Sequence, residues 1–227
     1  MLEVDYLKKL LPSPNLWPRI IVDAMFGKLG RFLRILGFDV LLADSSWEDS
    51  RIMELTLQTK RILYTRDYPF YQLFKKNLLN NGMGVDHEFF RDSGVVVAAD
   101  AGISCASVCY ISEEHLIAQL VAVFQNFKNL DYRELTPEHF LWDSKTPIPN
   151  LYKVLPFNPR CSTCNSTLKE IPKNEVKLKV NSGTFDHFNY FLQCENPECG
   201  KIYWFGIHWE QILEKLETIA RIFKEKE

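Results

Sequence analysis

No stretch of this sequence approaches the ~18 consecutive apolar residues of a membrane-crossing helix. An excess of one charge is missing too. The 27 Lys and Arg stand against 29 Asp and Glu, a net −2 that neither selects nor excludes a polyanionic partner. There is no low-complexity tract. The amino-terminal MLEVDYLKKLLPSPNLWP is too acidic and too broken by proline for a secretory signal or an Arg-rich transit peptide. The expectation is an intracellular chain, cytoplasmic or nuclear, in a reducing compartment and without a membrane partner. Cysteine is scarce, six in 227 residues, so the placing of those six carries weight. With 46% hydrophobic and 25% charged residues, the chain has the ordinary make-up of one or two globular domains.

Three apolar runs end in an aspartate: RIIVD at Asp23, FDVLLAD at Asp44 and RILYTRD at Asp67. They are 21 and 23 residues apart, about one strand–helix–strand repeat. Between them, Phe26, Leu29, Leu33 and Leu36 recur at helical spacing and Gly37 offers a stop. A second helix is expected from Trp47 to Thr59. The reading is β-α-β-α-β with short connections, an α/β fold built on a parallel sheet. Parallel strands place all three aspartates at one edge of that sheet.

Carboxylates at that edge are hard ligands for Mg²⁺ or Mn²⁺. Asp23, Asp44 and Asp67 are the candidate catalytic and metal-binding set, with Asp49 or Glu48 able to replace or assist Asp44. Against this, aspartates after strands are often turn residues or helix caps. Lys28 and Arg31, with Arg34, follow Asp23 on the first helix and could hold phosphate or RNA; Arg66 could do the same or pair with a carboxylate. A rival motif lies in MFGKLG, residues 25–30, which matches the last two glycines of a dinucleotide fingerprint. It lacks the first glycine and leaves Asp67 without a role.

Further along, a helix is expected from Phe70 to Leu79, strands at Val95 to Ala99 and Val108 to Ile111, and a helix capped by Ser112 running to Phe127. Five prolines between residues 131 and 160 suggest an extended linker or wrapping segment. Cys161-x2-Cys164 and Cys194-x4-Cys199 then form two knuckles. Four thiolates from two knuckles suit tetrahedral zinc in a structural role; two disulfides are the alternative. Val176 to Val180 and Phe188 to Leu192 are the expected ribbon strands, with Gly200 easing the second knuckle. Cys105 and Cys109 read as buried thiols. A closing helix from Glu210 to Lys224 carries Ile212, Leu216, Ile219 and Phe223 on one stripe. Charge is −4 over residues 1–144 and +2 over the rest.

The blocks VDAMFGKLGRFLRILGFDV, ILYTRD and, with the cysteine knuckles, CGKIYWFGIHWE resemble the RNase domain found at the C-terminus of Mut-seven-type exonucleases, which also occurs alone. The resemblance implies a PIN-like parallel-sheet domain followed by a zinc ribbon. It implies a metal-dependent ribonuclease, with Asp23 and Asp67 on the acidic motif and Asp44 or Asp49 on a less defined position. Zinc would be held by Cys161, Cys164, Cys194 and Cys199. The expected layout is 1–135 for the PIN-like domain, 136–159 for a linker, and 160–227 for the ribbon and closing helix. The stretch from about 70 to 107 is long for the family, and its Asp86, Glu88, Asp92 or Asp100 could add a ligand. His208 and Trp209 are expected to pack the ribbon against the first domain, with contact to RNA as the alternative. The leading function is an endonuclease acting on RNA, free or within a ribonucleoprotein, with structural Zn and catalytic Mg or Mn. The alternative is a non-catalytic RNA-binding or ribonucleoprotein-assembly factor with a degenerate site.

Overall fold

The computed structural model describes residues 17–80, 95–97, 106–130, 132, 134–142, 155 and 157–225. Expectations for Cys105, and for Asp86, Glu88, Asp92 and Asp100, lie outside them. The chain divides into two compact units. One holds the described residues of Pro12–Leu33 and Phe38–Leu135. The other holds Arg34–Gly37 and the described residues of Thr136–Glu227.

The first unit is built on a five-stranded sheet in the order β2-β1-β3-β5-β4. Strands β1 (Ile20–Val22), β2 (Val40–Leu42), β3 (Ile62–Thr65) and β5 (Ser107–Tyr110) are parallel. β4 (Val95–Val97) pairs antiparallel with β5 at the sheet margin. β1 and β3 are buried throughout, which explains why they read as unbroken apolar runs rather than alternating ones. The α/β expectation of a parallel sheet therefore holds for four strands, with one antiparallel addition.

A 3-10 turn, Ala24–Phe26, leads into α1 (Gly27–Ile35). Phe26, Leu29, Leu33 and Leu36 are all essentially buried, each contributing on the order of 1.5–3 kcal/mol by burial. Gly37 stops the helix with φ of 96°, a backbone shape that side chains disfavour. Gly30 is needed for a different reason. A Cβ there would lie 2.2 Å from Leu42 Cδ2 and 2.8 Å from Val22 Cγ2. Gly30, at the third glycine position of the fingerprint-like motif, thus lets the helix rest closely on the sheet.

α2 (Asp49–Thr59) and α3 (Tyr68–Asn80) follow β2 and β3. At the amino edge of the sheet, Arg61 donates from both Nη atoms to the Asp39 carboxylate, at 3.0 and 2.9 Å, and also to the Ile20 carbonyl. α4 (Leu116–Asn129) begins later than expected. Its cap position is His115, and Ser112 does not cap it. The Ile111 N–H still donates to the Thr65 carbonyl, so the chain must clear the sheet before it can turn. Buried Gln119 braces the entry by donating to the carbonyls of Glu113 and Glu114.

The second unit is an antiparallel sheet of β6 (Leu168–Ile171), β7 (Phe191–Cys194) and β8 (Ile202–Trp204) in sequence order. The strand expected from Val176 to Val180 is absent. Those residues lie in a short helix, α5 (Lys173–Val176), and a turn closed onto the Val176 carbonyl. The apparent alternation misleads because Val176 is buried while Leu178 is 97% exposed. The strand expected from Phe188 to Leu192 is shifted to end on Cys194. Between them, α6 (Ser182–His187) is capped by Asn181. α7 (Ile207–Glu225) buries Ile212, Leu216, Ile219 and Phe223 as its stripe requires. Trp209 packs on Phe205 and Trp142 within its own unit, and His208 is exposed. Among the described residues, no helix is long and apolar enough to cross a membrane.

Candidate metal centres

At the carboxyl edge of the parallel strands, the chain leaves β1 for β2 on one side and reaches β3 on the other. Such a reversal opens a crevice between β1 and β3, where ligands bind in open α/β sheets. Asp23 follows β1 and Asp67 follows β3, so these two acids flank it.

Asp23 is only 7% exposed, and both its carboxylate oxygens are engaged. Oδ1 accepts from the Met25 N–H at 2.9 Å. Oδ2 accepts from the Thr65 hydroxyl at 2.6 Å and the Arg66 N–H at 2.9 Å. Those donors hold the group in one orientation while leaving lone-pair capacity on Oδ1. Thr65 reaches further: its hydroxyl oxygen also accepts the Asp67 N–H at 3.0 Å. One buried hydroxyl therefore ties the Asp23 carboxylate to the Asp67 backbone. The sequence reading missed Thr65, because a threonine at the end of an apolar strand looks like a valine; its place immediately before Arg66-Asp67 was the available signal.

The other acids have distinct surroundings. Asp67 is exposed, and its Oδ1 caps α3 by accepting the Phe70 N–H at 2.9 Å. Asp44 forms a tight turn in which Oδ1 accepts the Ser46 hydroxyl at 2.7 Å and the Ser46 N–H at 2.9 Å. Those two bonds, the hydroxyl first, hold its pKa below the usual value. Asp49 opens α2, and its pKa is raised by partial burial and then by the charge of Asp67. Asp49 is therefore electrostatically coupled to Asp67, whereas Asp44 has a local structural task.

Among the cations, Lys28 and Arg31 are exposed on α1. Arg66 pairs with Glu114 at 2.6 Å. Arg34 is buried and donates to the Ser162 and Thr163 carbonyls, so it braces the first cysteine knuckle.

Among the described residues, the cysteines are the only group of three or more His, Cys, Asp or Glu side chains close enough together to hold one ion, and the sheet-edge acids are not brought that close. The ligand atoms of Cys161, Cys164, Cys194 and Cys199 all lie within 4.8 Å of one another. Cys161 and Cys199 are 3.7 Å apart, and Cys164 and Cys194 3.3 Å. These separations exclude disulfides, which need about 2.05 Å. A tetrahedron at the ~2.3 Å zinc–thiolate distance has edges of about 3.8 Å, so the donor set could hold a metal such as zinc.

Four crowded thiols cannot all ionise without a cation between them. Burial raises Cys164, but hydrogen bonds with Ser166, Cys194 and Cys161 outweigh it and bring it to about 6. Burial and the bond to Cys164 push Cys194 to about 12. The Tyr203 hydroxyl lies 3.1 Å from Cys161 Sγ and accepts the Ser162 N–H. Cys109 lies apart, fully buried in β5, and burial drives its pKa far up, as suits an inert packed thiol.

The two knuckles share a backbone turn. The Asn165 N–H donates to the Cys161 carbonyl, and the Gly200 N–H to the Asn196 carbonyl, each at 2.9 Å. The residues after the turns, Asn165 and Gly200, have φ of 71° and 53°. Asn196 thus occupies the turn position that Cys161 has in the first knuckle, while Cys194 supplies the sulfur from the end of β7. The Asn196 Oδ1 accepts the Glu198 N–H at 3.0 Å. That division accounts for the wide Cys-x4-Cys spacing.

A family model described as Mut7-C RNAse domain matches residues 18–139 and 145–216, and so covers both the sheet-edge acids and the cysteine set. No curated protein and no solved structure matches the chain.

Proposed function

The chain belongs to the Mut7-C RNAse domain family, and on that premise we propose that it hydrolyses RNA phosphodiesters as an endonuclease, with a divalent cation held by Asp23, Asp67 and Asp49. The observation that carries this reading is the oriented Asp23 carboxylate, tied through Thr65 to Asp67 at the mouth of the β1–β3 crevice. The donor set is all carboxylate oxygen, which suits Mg²⁺ or Mn²⁺. The repulsion between Asp49 and Asp67 is of the kind that a cation relieves. A bound cation of this class polarises a phosphoryl oxygen and activates water. The chain's own residues do the placing. Thr65 and the Arg66 N–H keep the Asp23 carboxylate aimed. Asp44 shapes the loop that leads to Asp49. Lys28 and Arg31 are free to meet phosphates approaching α1. Cys161, Cys164, Cys194 and Cys199 would hold zinc with no open ligand position, as a fold-stabilising site.

The test is Mn²⁺-dependent cleavage of single-stranded RNA by the purified chain. Asp67→Asn is the clean inactivating change, because asparagine can still cap α3. It should abolish cleavage and leave RNA binding intact. Asp23→Asn is less clean, since its amide would set a donor against the Met25 N–H or the Thr65 and Arg66 donors. The local task of Asp44 favours a second reading, a non-catalytic RNA-binding or ribonucleoprotein-assembly factor. RNA binding without cleavage under varied divalent ions would establish that reading instead.

A further inference from the structure

The acids at the β1–β3 crevice each have an apolar neighbour turned to solvent. Tyr68 directly follows Asp67 and is 53% exposed; Met25 lies two residues beyond Asp23 and is 63% exposed. Single exposed hydrophobic residues need no explanation. Their placement here does. The exposed large hydrophobic residues among the described part of the sheet unit are Met25, Tyr68 and Leu73, so two of the three stand beside the acids.

Tyr68 is also held in place. Its ring meets Tyr110 edge-on, with centroids 5.2 Å apart at 74°, and lies 6.1 Å from Tyr71. Tyr71 is 6% exposed, so the supporting ring is anchored in the core. A cation follows β2 as well: the Arg51 guanidinium lies 4.4 Å over the Trp47 ring, and its charge acts on Asp44. A half-exposed aromatic ring, held by its neighbours and directly following a carboxylate, matches the chemistry of an unpaired nucleobase attached to a phosphodiester. Base–aromatic stacking needs a free base face, which a duplex withholds.

We propose that Tyr68, with Met25 on the other side of the crevice, is a stacking platform for an unpaired base, which makes single-stranded RNA the ligand of this edge. The proposal rests on the ribonuclease reading for the identity of the ligand, but not on cleavage. It gives Tyr68 a binding role and gives the adjacent acids their own.

The experiment uses the full chain carrying Asp67→Asn, so that RNA is bound but not cut. A short RNA with 2-aminopurine at an internal position is titrated as a single strand and as a duplex, with anisotropy and base fluorescence read together. The single strand should bind more tightly than the duplex and lose fluorescence on binding. Tyr68→Ala should weaken single-strand binding about 5- to 150-fold and remove the fluorescence loss. Tyr68→Phe should retain both, and Leu73→Ala should change neither. Thermal midpoints of all variants establish that they fold; if Tyr68→Ala does not, Tyr68→Leu takes its place with the same expectation.

Equal binding by Tyr68→Ala and the parent overturns the platform, as does a loss in Tyr68→Phe equal to that in Tyr68→Ala. Failure of the parent to bind RNA overturns the platform and the ribonuclease reading together. A Tyr68 effect in a chain whose wild type never cleaves supports the platform and sinks the cleavage reading alone.

Discussion

Thr65 makes the most consequential hydrogen bonds at the sheet edge, and it can be removed almost without change of shape. Thr65→Val would strip a donor from a buried carboxylate and an acceptor from the Asp67 N–H. The expected cost is about 1.5–3 kcal/mol, the range for hydrogen bonds to charged groups. Chemical denaturation measures it, and under the proposed function cleavage falls as well. Asp49 should behave in the opposite sense. Its raised pKa means that the ionised form is disfavoured in the folded chain by burial and by Asp67. The penalty is fully present above the folded pKa, falls as pH drops from the folded to the unfolded pKa, and is gone below the unfolded pKa. Asp49→Asn should therefore raise the unfolding free energy at neutral pH by less than about 1 kcal/mol, because the side chain is largely exposed and screened, and the thermal midpoint should rise with it. The gain should vanish on acidification below the ordinary carboxylate pKa of the unfolded chain. Mn²⁺ should stabilise the wild type more than this variant, by ordinary ligand linkage. Aspartates that cap, turn or ligate look alike as letters in a sequence. Register could bring Asp23, Asp44 and Asp67 to one edge, but only the bonds to Ser46 and Phe70 distinguish their tasks.

The two glycines of α1 allow a paired test of the helix and its bed. Gly27 has open space around its Cβ position, so Gly27→Ala should stabilise by about 0.5–1 kcal/mol through helix propensity. Gly30→Ala gains the same propensity but drives a methyl into Leu42 and Val22, and should be net destabilising by about 1–3 kcal/mol. Opposite signs for two like substitutions three residues apart would be read from thermal midpoints. Elements with a strong period were legible in the sequence: β1, β3, α1 and α7 appear where their apolar spacing puts them. The failures share a cause. The Val176–Val180 alternation and the Ser112 cap are short local signals, and each is overridden by packing. Leu178 is left in solvent while Val176 is buried, and the β5 ladder extends to Ile111 before α4 can start.

Across the whole molecule, the proposed function assigns two kinds of metal chemistry by donor atom, oxygen at the sheet edge and sulfur in the cysteine set. Chelation should tell them apart. A mild chelator that removes Mg²⁺ or Mn²⁺ should stop cleavage reversibly and leave the fold intact. Removal of zinc should unfold the ribbon, because a structural site of this type supplies folding free energy. Metal analysis and circular dichroism of the same sample read both effects; less than about one zinc per chain after mild purification would count against a structural zinc. The paired cysteines made this centre the most legible part of the chain, yet the unequal spacing was not explained until the turn was seen at Asn196. In the first knuckle one residue both turns the backbone and presents the sulfur. In the second, Asn196 turns and Cys194 presents. The path between the two arrangements is short: Asn196→Cys places a thiol where the backbone already has the shape a ligand wants, and could rescue a chain that has lost Cys194. A descendant of this sequence could therefore exchange one cysteine for another and keep its ribbon, and a search for a fixed cysteine spelling would take the two for strangers.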